Sequence, residues 1–443
     1  MKSITNTVKW KPSRYSFFFG GEDGTLLAFS SASKAVGRFS RENQATVKAI
    51  LKSPGDAAMQ FPSGLKIKKY LVKNGFLIPA ATDEYEQLKV RNREGIPSRE
   101  CFDLILIPTL DCNFRCFYCF EEHRPEVMPR EVVERLVLWG EKNIPRYGNI
   151  SLSWFGGEPL LELDTVLRLS ESLRAICQRH SVGFHNMITT NGFGLHQDVV
   201  TSLLDAGICA VNVTMDGPAL WHERFRRHRD GEKTFDRIVQ GIVRVTESAS
   251  DARIDLRINY DSRNFDSIPD LFHVFPTEIR GRMFVMLRQI FGDRTEGHPL
   301  PDKTRREKEI YSVAAQQGYR MSLMETLLGR KETFCYADKE SSMVVNPFGD
   351  LYKCSLSKFT RESRVGRLGE KGEVEWDEER MVRWKSVDGF DDPVCRECIY
   401  LPLCMGGCRS QRVDGHVPQE CEQPFEHLDL AVKLLCGLRG EAA

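Results

Sequence analysis

The chain has 443 residues, 41% of them apolar and 28% charged, which suits a soluble globular protein of two to four domains rather than a fibrous or disordered one. Lys and Arg together number 62, as do Asp and Glu, so the formal charge is zero and gives no global electrostatic case for binding nucleic acid. Met1 to Asn6 lack the apolar core of a signal peptide, and no run of about 18 apolar residues suggests a membrane span. The expected setting is the cytoplasm, where fourteen cysteines point to metal rather than to a disulfide framework.

Residues 1–98 contain no cysteine and carry sixteen Lys and Arg against eight Asp and Glu. Tyr15 to Phe18 and Thr25 to Phe29 read as strands flanking the turn Gly20-Gly21-Glu22-Asp23-Gly24, with a third short strand near Ala35 to Phe39. Two helical patterns follow, Glu42 to Lys52 and Gly64 to Asn74, with Gly75 as a stop and Phe76 to Pro79 as a last strand. This is a winged-helix-like unit. Its positive face would take an acidic peptide or DNA, the bland reading being a solvated surface. Asp83 to Arg93 reads as a charged connecting helix, and Gly95-Ile96-Pro97-Ser98 as a boundary.

From residue 99 to about 310 strand and helix alternate. Strands are expected at 103–108, 150–155, 183–189, 209–215, 253–260 and 282–290, with helices at 129–142, 164–179, 197–206, 234–248 and 266–274. Six such units imply parallel strands in an α/β fold, a partial (β/α)6 TIM-like barrel with its site at the strand C-terminal ends.

The chemistry-bearing residues fall at those ends. After the first strand comes Cys112-x3-Cys116-x2-Cys119. Three thiolates fill neither a structural zinc site nor a cubane iron–sulfur site, each of which takes four ligands. Either a distant ligand completes the set or one position is left to a small molecule. After the second strand comes Gly156-Gly157-Glu158-Pro159, whose glycines let the backbone approach a ligand and whose carbonyls and carboxylate accept from an ammonium. Thr190 and Asn191 end the third strand with groups suited to a ribose, Thr214-Met215-Asp216-Gly217 ends the fourth, and Arg257 in the fifth can pair a carboxylate. Together they describe a pocket for an amine, a carboxylate and a ribose. The basic run Arg224, Arg226, Arg227 and Arg229 reads as a solvated loop, the alternative being contact with an acidic part of a substrate.

Residues 311–443 hold seven more clustered cysteines. Cys335 precedes a hairpin that turns at Asn346 to Asp350 and ends at Cys354. Cys395-x2-Cys398-x5-Cys404-x3-Cys408 and Cys421 follow. A zinc ribbon is the bland reading, although seven ligands do not divide into two complete four-ligand sites. Cys101, Cys177, Cys209 and Cys436 are scattered and read as small buried residues.

Cys112-x3-Cys116-x2-Cys119, with Tyr118 before the last cysteine and Gly156-Gly157-Glu158-Pro159 after the second strand, resembles the signature of the radical S-adenosylmethionine (SAM) superfamily. The resemblance implies a [4Fe–4S] cluster on Cys112, Cys116 and Cys119 whose open iron chelates SAM. It also implies that Tyr118 contacts the adenine and that Gly156, Gly157 and Glu158 meet the methionyl ammonium. Thr190, Asn191, Thr214 and Arg257 become further SAM contacts. No catalytic residue is assigned. The later cysteines resemble a SPASM domain, which implies two auxiliary [4Fe–4S] clusters: an outer one on Cys395, Cys398, Cys404 and Cys421, and an inner one on Cys335, Cys354 and Cys408, open to a substrate thiolate or completed from elsewhere.

A basic winged-helix-like unit ahead of such a core resembles the recognition element of enzymes that modify ribosomally made peptides. The implied partners are a precursor peptide with a leader and a reductant such as flavodoxin or ferredoxin, with neither nucleic acid nor membrane. The expected reaction is cleavage of SAM to a 5′-deoxyadenosyl radical and crosslinking of the peptide. The alternative is a maturase of a protein partner such as a sulfatase or quinoprotein subunit. Sulfatase-maturing members carry an aspartate after the cysteine matching Cys354, where this chain has Ser355. A remote alternative is a zinc-loaded winged-helix regulator.

Overall fold

A computed structural model describes residues 8–21, 23–55, 57–290, 298–329, 332–415 and 424–439. The chain forms two compact units. One comprises 1–96, 323–334 and 387–443, the other 97–322 and 335–386. Residues 311–443, expected as a bridging region and a cysteine-rich domain, contribute to both units.

In the first unit β1 (Trp10–Pro12) pairs antiparallel with β5 (Leu77–Pro79), and β2 (Ser16–Gly20), β3 (Leu26–Ser30) and β4 (Val36–Phe39) form a three-stranded antiparallel sheet in that order. Alternation along β3 sends Leu26 and Ala28 one way, to a core with Val47, Ile50, Ile67 and Leu71 from helices Gln44–Lys52 and Gly64–Lys73. Leu27 and Phe29 point the other way. With Phe17 of β2 they pack against Leu403, Phe425, Leu428, Val432 and Leu435, the last three on helix Leu428–Arg439. The sheet is covered on both faces, and one cover comes from the far end of the chain.

The second unit is built on an eleven-stranded sheet. Its strands are β6 (Cys101–Leu106), β8 (Asn149–Trp154), β9 (Gly183–Thr190), β10 (Ile208–Thr214), β12 (Arg253–Tyr260), β13 (Met283–Gln289), β14 (Arg320–Met321), β15 (Ser342–Val345), β16 (Asp350–Tyr352), β17 (Gly366–Leu368) and β18 (Val374–Trp376). β7 (Phe114–Cys116) and β11 (Arg226–His228) form a separate two-stranded ribbon. The six strands expected from the periodicity lie side by side in chain order, all parallel. Beyond them β14 extends one edge in parallel. On the other edge β15 joins β6 in parallel and begins the antiparallel run β15 to β18. The hairpin expected at 342–354 therefore continues the main sheet. Buried Trp154, Ile188, Val213, Leu256 and Val285 at successive strands make the strand set rigid, so their C-terminal ends hold fixed positions.

Helices Arg130–Asn143, Leu163–Arg179, Gln197–Asp205 and Phe235–Ser248 connect the parallel strands. No helix among the described residues is long and apolar enough to cross a membrane.

Candidate active site at the strand ends

The chain leaves β6 through Ile107 and Pro108 and folds back on itself. Leu110 N donates to Glu126 O at 3.0 Å and Met128 N to Pro108 O at 2.7 Å. Within this returning loop the cysteine segment forms β7, and β11 pairs with it, setting Arg226 against Cys116, Arg227 against Arg115 and His228 against Phe114. Of the basic run expected as a solvated loop, Arg226 and Arg227 therefore lie on a strand beside the site, while Arg224 is in the last turn of the preceding helix and Arg229 is exposed. Arg226 and His228 are each 7% exposed, while Arg227 faces outward. Period-2 alternation drives this: Phe225 and the inward pair pack among Phe114, Phe117 and Phe193.

The two glycines after β8 are demanded by the cysteine loop. A Cβ on Gly157 would lie 2.1 Å from Asp111 O, and Gly156 has φ +116° with Thr109 O 2.7 Å from where its Cβ would be. That approach lets Gly157 N donate to Thr109 O and Glu158 N to Asp111 O at 2.8 Å. Glu158 itself is buried. One carboxylate oxygen accepts from Leu160 N at 3.0 Å and Thr190 Oγ1 at 2.7 Å, the other from Asn191 N at 2.7 Å. Its carboxylate ties the β8 turn to the end of β9, and an ammonium bound beside it would meet oxygens that already accept from the chain. Burial pushes its carboxyl up, and these three donors pull it back down.

Cys112, Cys116 and Cys119 line one cavity of about 510 Å³ together with Tyr118, Gly156, Gly157, Thr190, Asn191, Thr214 and Arg257. These are the residues expected at the site, apart from Glu158. Asn191 Nδ2 donates to Asn113 Oδ1 at 2.7 Å, holding the start of the cysteine segment to β9. Arg257 Nε donates to Asn259 Oδ1 at 2.9 Å.

The same wall includes Arg226, expected in a solvated loop, Ser355, and two residues the sequence did not assign to the site, Asn259 and Leu356. Tyr118 shows why Arg226 and Asn259 matter. Its hydroxyl accepts from Arg226 Nη1 at 2.8 Å and Asn259 Nδ2 at 3.0 Å and donates to Asp216. Asp216 is fully buried and also accepts from Asn259 N at 2.9 Å. The Arg226 guanidinium therefore offsets a buried carboxylate and stands beside Cys116.

Burial pushes the Cys112 thiol up to about 12 and Cys116 to about 11. Thiolates here need a compensating charge, which a bound metal centre supplies. Among the described residues no three Cys, His, Asp or Glu side chains converge on a point suited to a single metal ion. The three thiols share the wall of a cavity large enough for a bound group, with Arg226 and Arg257 in the same wall, and so fit a cluster with a small-molecule ligand that carries a carboxylate.

Of the remaining cysteines, Cys335 and Cys354 lie in the unit of the large sheet, and Cys395, Cys398, Cys404 and Cys408 in the other. Cys395 lies within helix Pro393–Glu397 and Cys398 follows its end, Cys404 ends Leu401–Cys404, and Cys408 caps Arg409–Val413. Cys421 lies outside the described residues. Cys177 and Cys436 are buried as expected, whereas Cys101 and Cys209 are half-buried.

Residues 106–273 match the profile of the Radical SAM superfamily. The chain is 22% identical over 336 residues to a cysteine-type anaerobic sulfatase-maturating enzyme of Clostridium novyi, covering 70% of this chain and 88% of that one. It is 35% identical over 144 residues to a probable GTP 3′,8-cyclase of Saccharolobus islandicus, but spans only 42% of that protein. Among solved structures, anSMEcpe with bound AdoMet and the Kp18Cys peptide superposes with TM-score 0.56 at 20% identity, covering 76% of this chain and 98% of that one. Streptococcus suis SuiB bound to its precursor peptide SuiA gives 0.51 at 14% identity, covering 94% and 98%. The segment that matches this profile carries the cysteine loop, the glycine turn and the hydrogen-bond network of Tyr118.

Proposed function

We propose that this radical SAM enzyme cleaves SAM reductively and modifies a ribosomally made precursor peptide, forming a crosslink. The observation that carries the reading is the convergence of Cys112, Cys116 and Cys119 on one cavity with Tyr118, Gly156, Gly157, Thr190, Asn191, Thr214 and Arg257. Cys112, Cys116 and Cys119 would hold a [4Fe–4S] cluster, which would supply the electron for reductive cleavage of SAM to methionine and the 5′-deoxyadenosyl radical that abstracts hydrogen from the substrate.

The chain's own residues hold the parts in place. Gly156 and Gly157 bring the second strand's turn against the cysteine loop and offer carbonyls to an ammonium. Arg257 presents a cation to a carboxylate, and Thr190, Asn191 and Thr214 offer hydroxyl and amide groups to a ribose. Tyr118 is fixed through its hydroxyl, so its ring has one orientation toward an adenine. Glu158 maintains the geometry of both turns. Ser355 and Leu356 face the same cavity and would meet the substrate side chain.

The two auxiliary clusters are assigned to Cys395, Cys398, Cys404 and Cys421, and to Cys335, Cys354 and Cys408. Clusters held there would supply the oxidant for bond closure, an acceptor for the electron that the substrate gives up along with a proton. A flavodoxin or ferredoxin supplies the first electron. The sheet of residues 16–39, with its basic surroundings, receives the leader of the precursor as an added strand. The chain's likeness to a sulfatase-maturating enzyme over 88% of that protein favours a second reading, maturation of a protein partner. Ser355, in place of an aspartate, weighs against it.

Anaerobic reconstitution with iron and sulfide should load about twelve irons per chain. Supplied with SAM and dithionite, this protein should release 5′-deoxyadenosine, and C112A should not. No 5′-deoxyadenosine from the loaded protein would overturn the proposal. A short peptide encoded beside this gene should lose one pair of hydrogen atoms per crosslink when added. An unchanged peptide alongside an oxidised sulfatase cysteine would favour the second reading.

A further inference from the structure

Arg412 occupies an unusual position in the unit that holds Cys395 to Cys408. It lies on helix Arg409–Val413, directly after Cys408, and its side chain is 10% exposed. The guanidinium uses three edges on three partners. Nε donates to Gly406 O at 3.1 Å, Nη1 to Asp392 Oδ2 at 2.9 Å, and Nη2 to the Cys395 sulfur at 3.2 Å. Gly406 lies between Cys404 and Cys408. Asp392 caps the helix that carries Cys395, accepting from Val394 N at 2.9 Å.

Two of these contacts are ordinary structural ties. The third is different, because a neutral thiol is a weak acceptor and a guanidinium on a thiolate makes a charge-assisted bond. The rigid fork directs one N–H at that sulfur while Asp392 takes the neighbouring nitrogen. A cation held against a ligand sulfur away from water stabilises the more negative, reduced form of whatever cluster the sulfur binds. The neighbouring carboxylate works in the opposite sense.

We propose that Arg412 is a positioning residue that holds the Cys395 sulfur and raises the reduction potential of the outer auxiliary cluster. This rests on the reading of Cys395 and Cys398 as ligands of that cluster. Its consequence is direction: with a raised potential the outer cluster becomes the favoured resting place of an electron leaving the substrate, so bond closure is drawn toward oxidation.

The experiment is a reductive titration of the reconstituted holoenzyme followed by electron paramagnetic resonance, with iron and sulfide counted in parallel. C395A/C398A should lose one cluster's iron and one signal, which identifies the outer cluster. If that variant keeps the full iron and every signal, the ligand reading itself fails. R412Q should load fully and show the outer signal at a more negative potential, with R412K restoring part of the shift. D392N, whose side-chain oxygen can still cap the helix, should move the same signal to a more positive potential. A fully loaded R412Q with an unmoved potential overturns the role of Arg412 and leaves the ligand reading intact. If R412Q does not load, D392N decides: a positive shift supports the proposal, and no shift overturns it.

Discussion

Glu158 carries more of the site's geometry than its place in a glycine-rich turn suggests. Its carboxylate is the common acceptor for Leu160 N, Thr190 Oγ1 and Asn191 N. Glutamine keeps the shape but sets an NH2 against one of these donors, a mismatch of about 1–3 kcal/mol in a buried place. E158Q should therefore speed amide exchange at Leu160 and Asn191 by roughly ten- to a hundredfold, the change that such a loss of local stability gives. Exchange unchanged at both amides would show that the carboxylate is dispensable to the turn. The residues able to bind were legible in the sequence because their types and their places at strand ends follow from periodicity. Which of them face a ligand and which face each other was not. The motif suggests Glu158 as an ammonium acceptor, and nothing in that motif shows its three bonds to the chain.

At the scale of elements, the ribbon of β7 and β11 joins the cysteine segment to residues 110 positions later. Phe117 N donates to Phe225 O at 3.2 Å and Arg229 N to Asn113 O at 2.8 Å, and the register places Arg227 opposite Arg115 between these bonds. Proline at 227 would remove a ladder donor in the middle of a three-residue strand. R227P should leave the large sheet folded and reduce iron retention at the first cysteine set, counted in a background of C335A/C395A/C398A. R227A, which relieves two like charges facing each other, should retain iron as the parent does. Equal iron in R227P and R227A would show that the ribbon does not support the cysteine loop. The six parallel strands were readable because each is long and apolar; β11 was not, because three polar residues give no periodic signal and Arg is rarely buried. The same limit applies to β15. Its hairpin was visible in the turn residues, but its pairing with β6 is a long-range choice that no local pattern encodes.

At the scale of the molecule, the sequence order of domains is not the order of folding units. The three-stranded sheet of residues 16–39 completes its core with segments from beyond residue 400. Phe17 is the joint. Its ring stacks on Tyr400 at 5.3 Å between centroids and lies 6.3 Å from Phe29, and Tyr400 in turn stacks on Phe425 at 5.5 Å. Tyr400 sits between Cys398 and Cys404, so the stack runs from the sheet proposed to receive a peptide into the segment proposed to hold the outer cluster. Removing a buried phenylalanine side chain costs about 3–5 kcal/mol. F17A should therefore accelerate amide exchange not only along β2 and β3 but also across 401–404 and 428–436, some 370 to 420 positions away, with β8 and β9 in the other unit unaffected. Acceleration confined to residues 16–30 would mean that the C-terminal helix holds its place without the sheet. Coupled loosening has a chemical corollary. Cys404 belongs to the same packed cluster as Phe17, so F17A should also lower the iron retained on the C395/C398 set, while an exposed change in the same unit, Lys66→Ala, should not. A chain cut after residue 96 would expose the apolar face of helix Leu428–Arg439 and should lose that iron as well, because the amino-terminal sheet and this helix share one core.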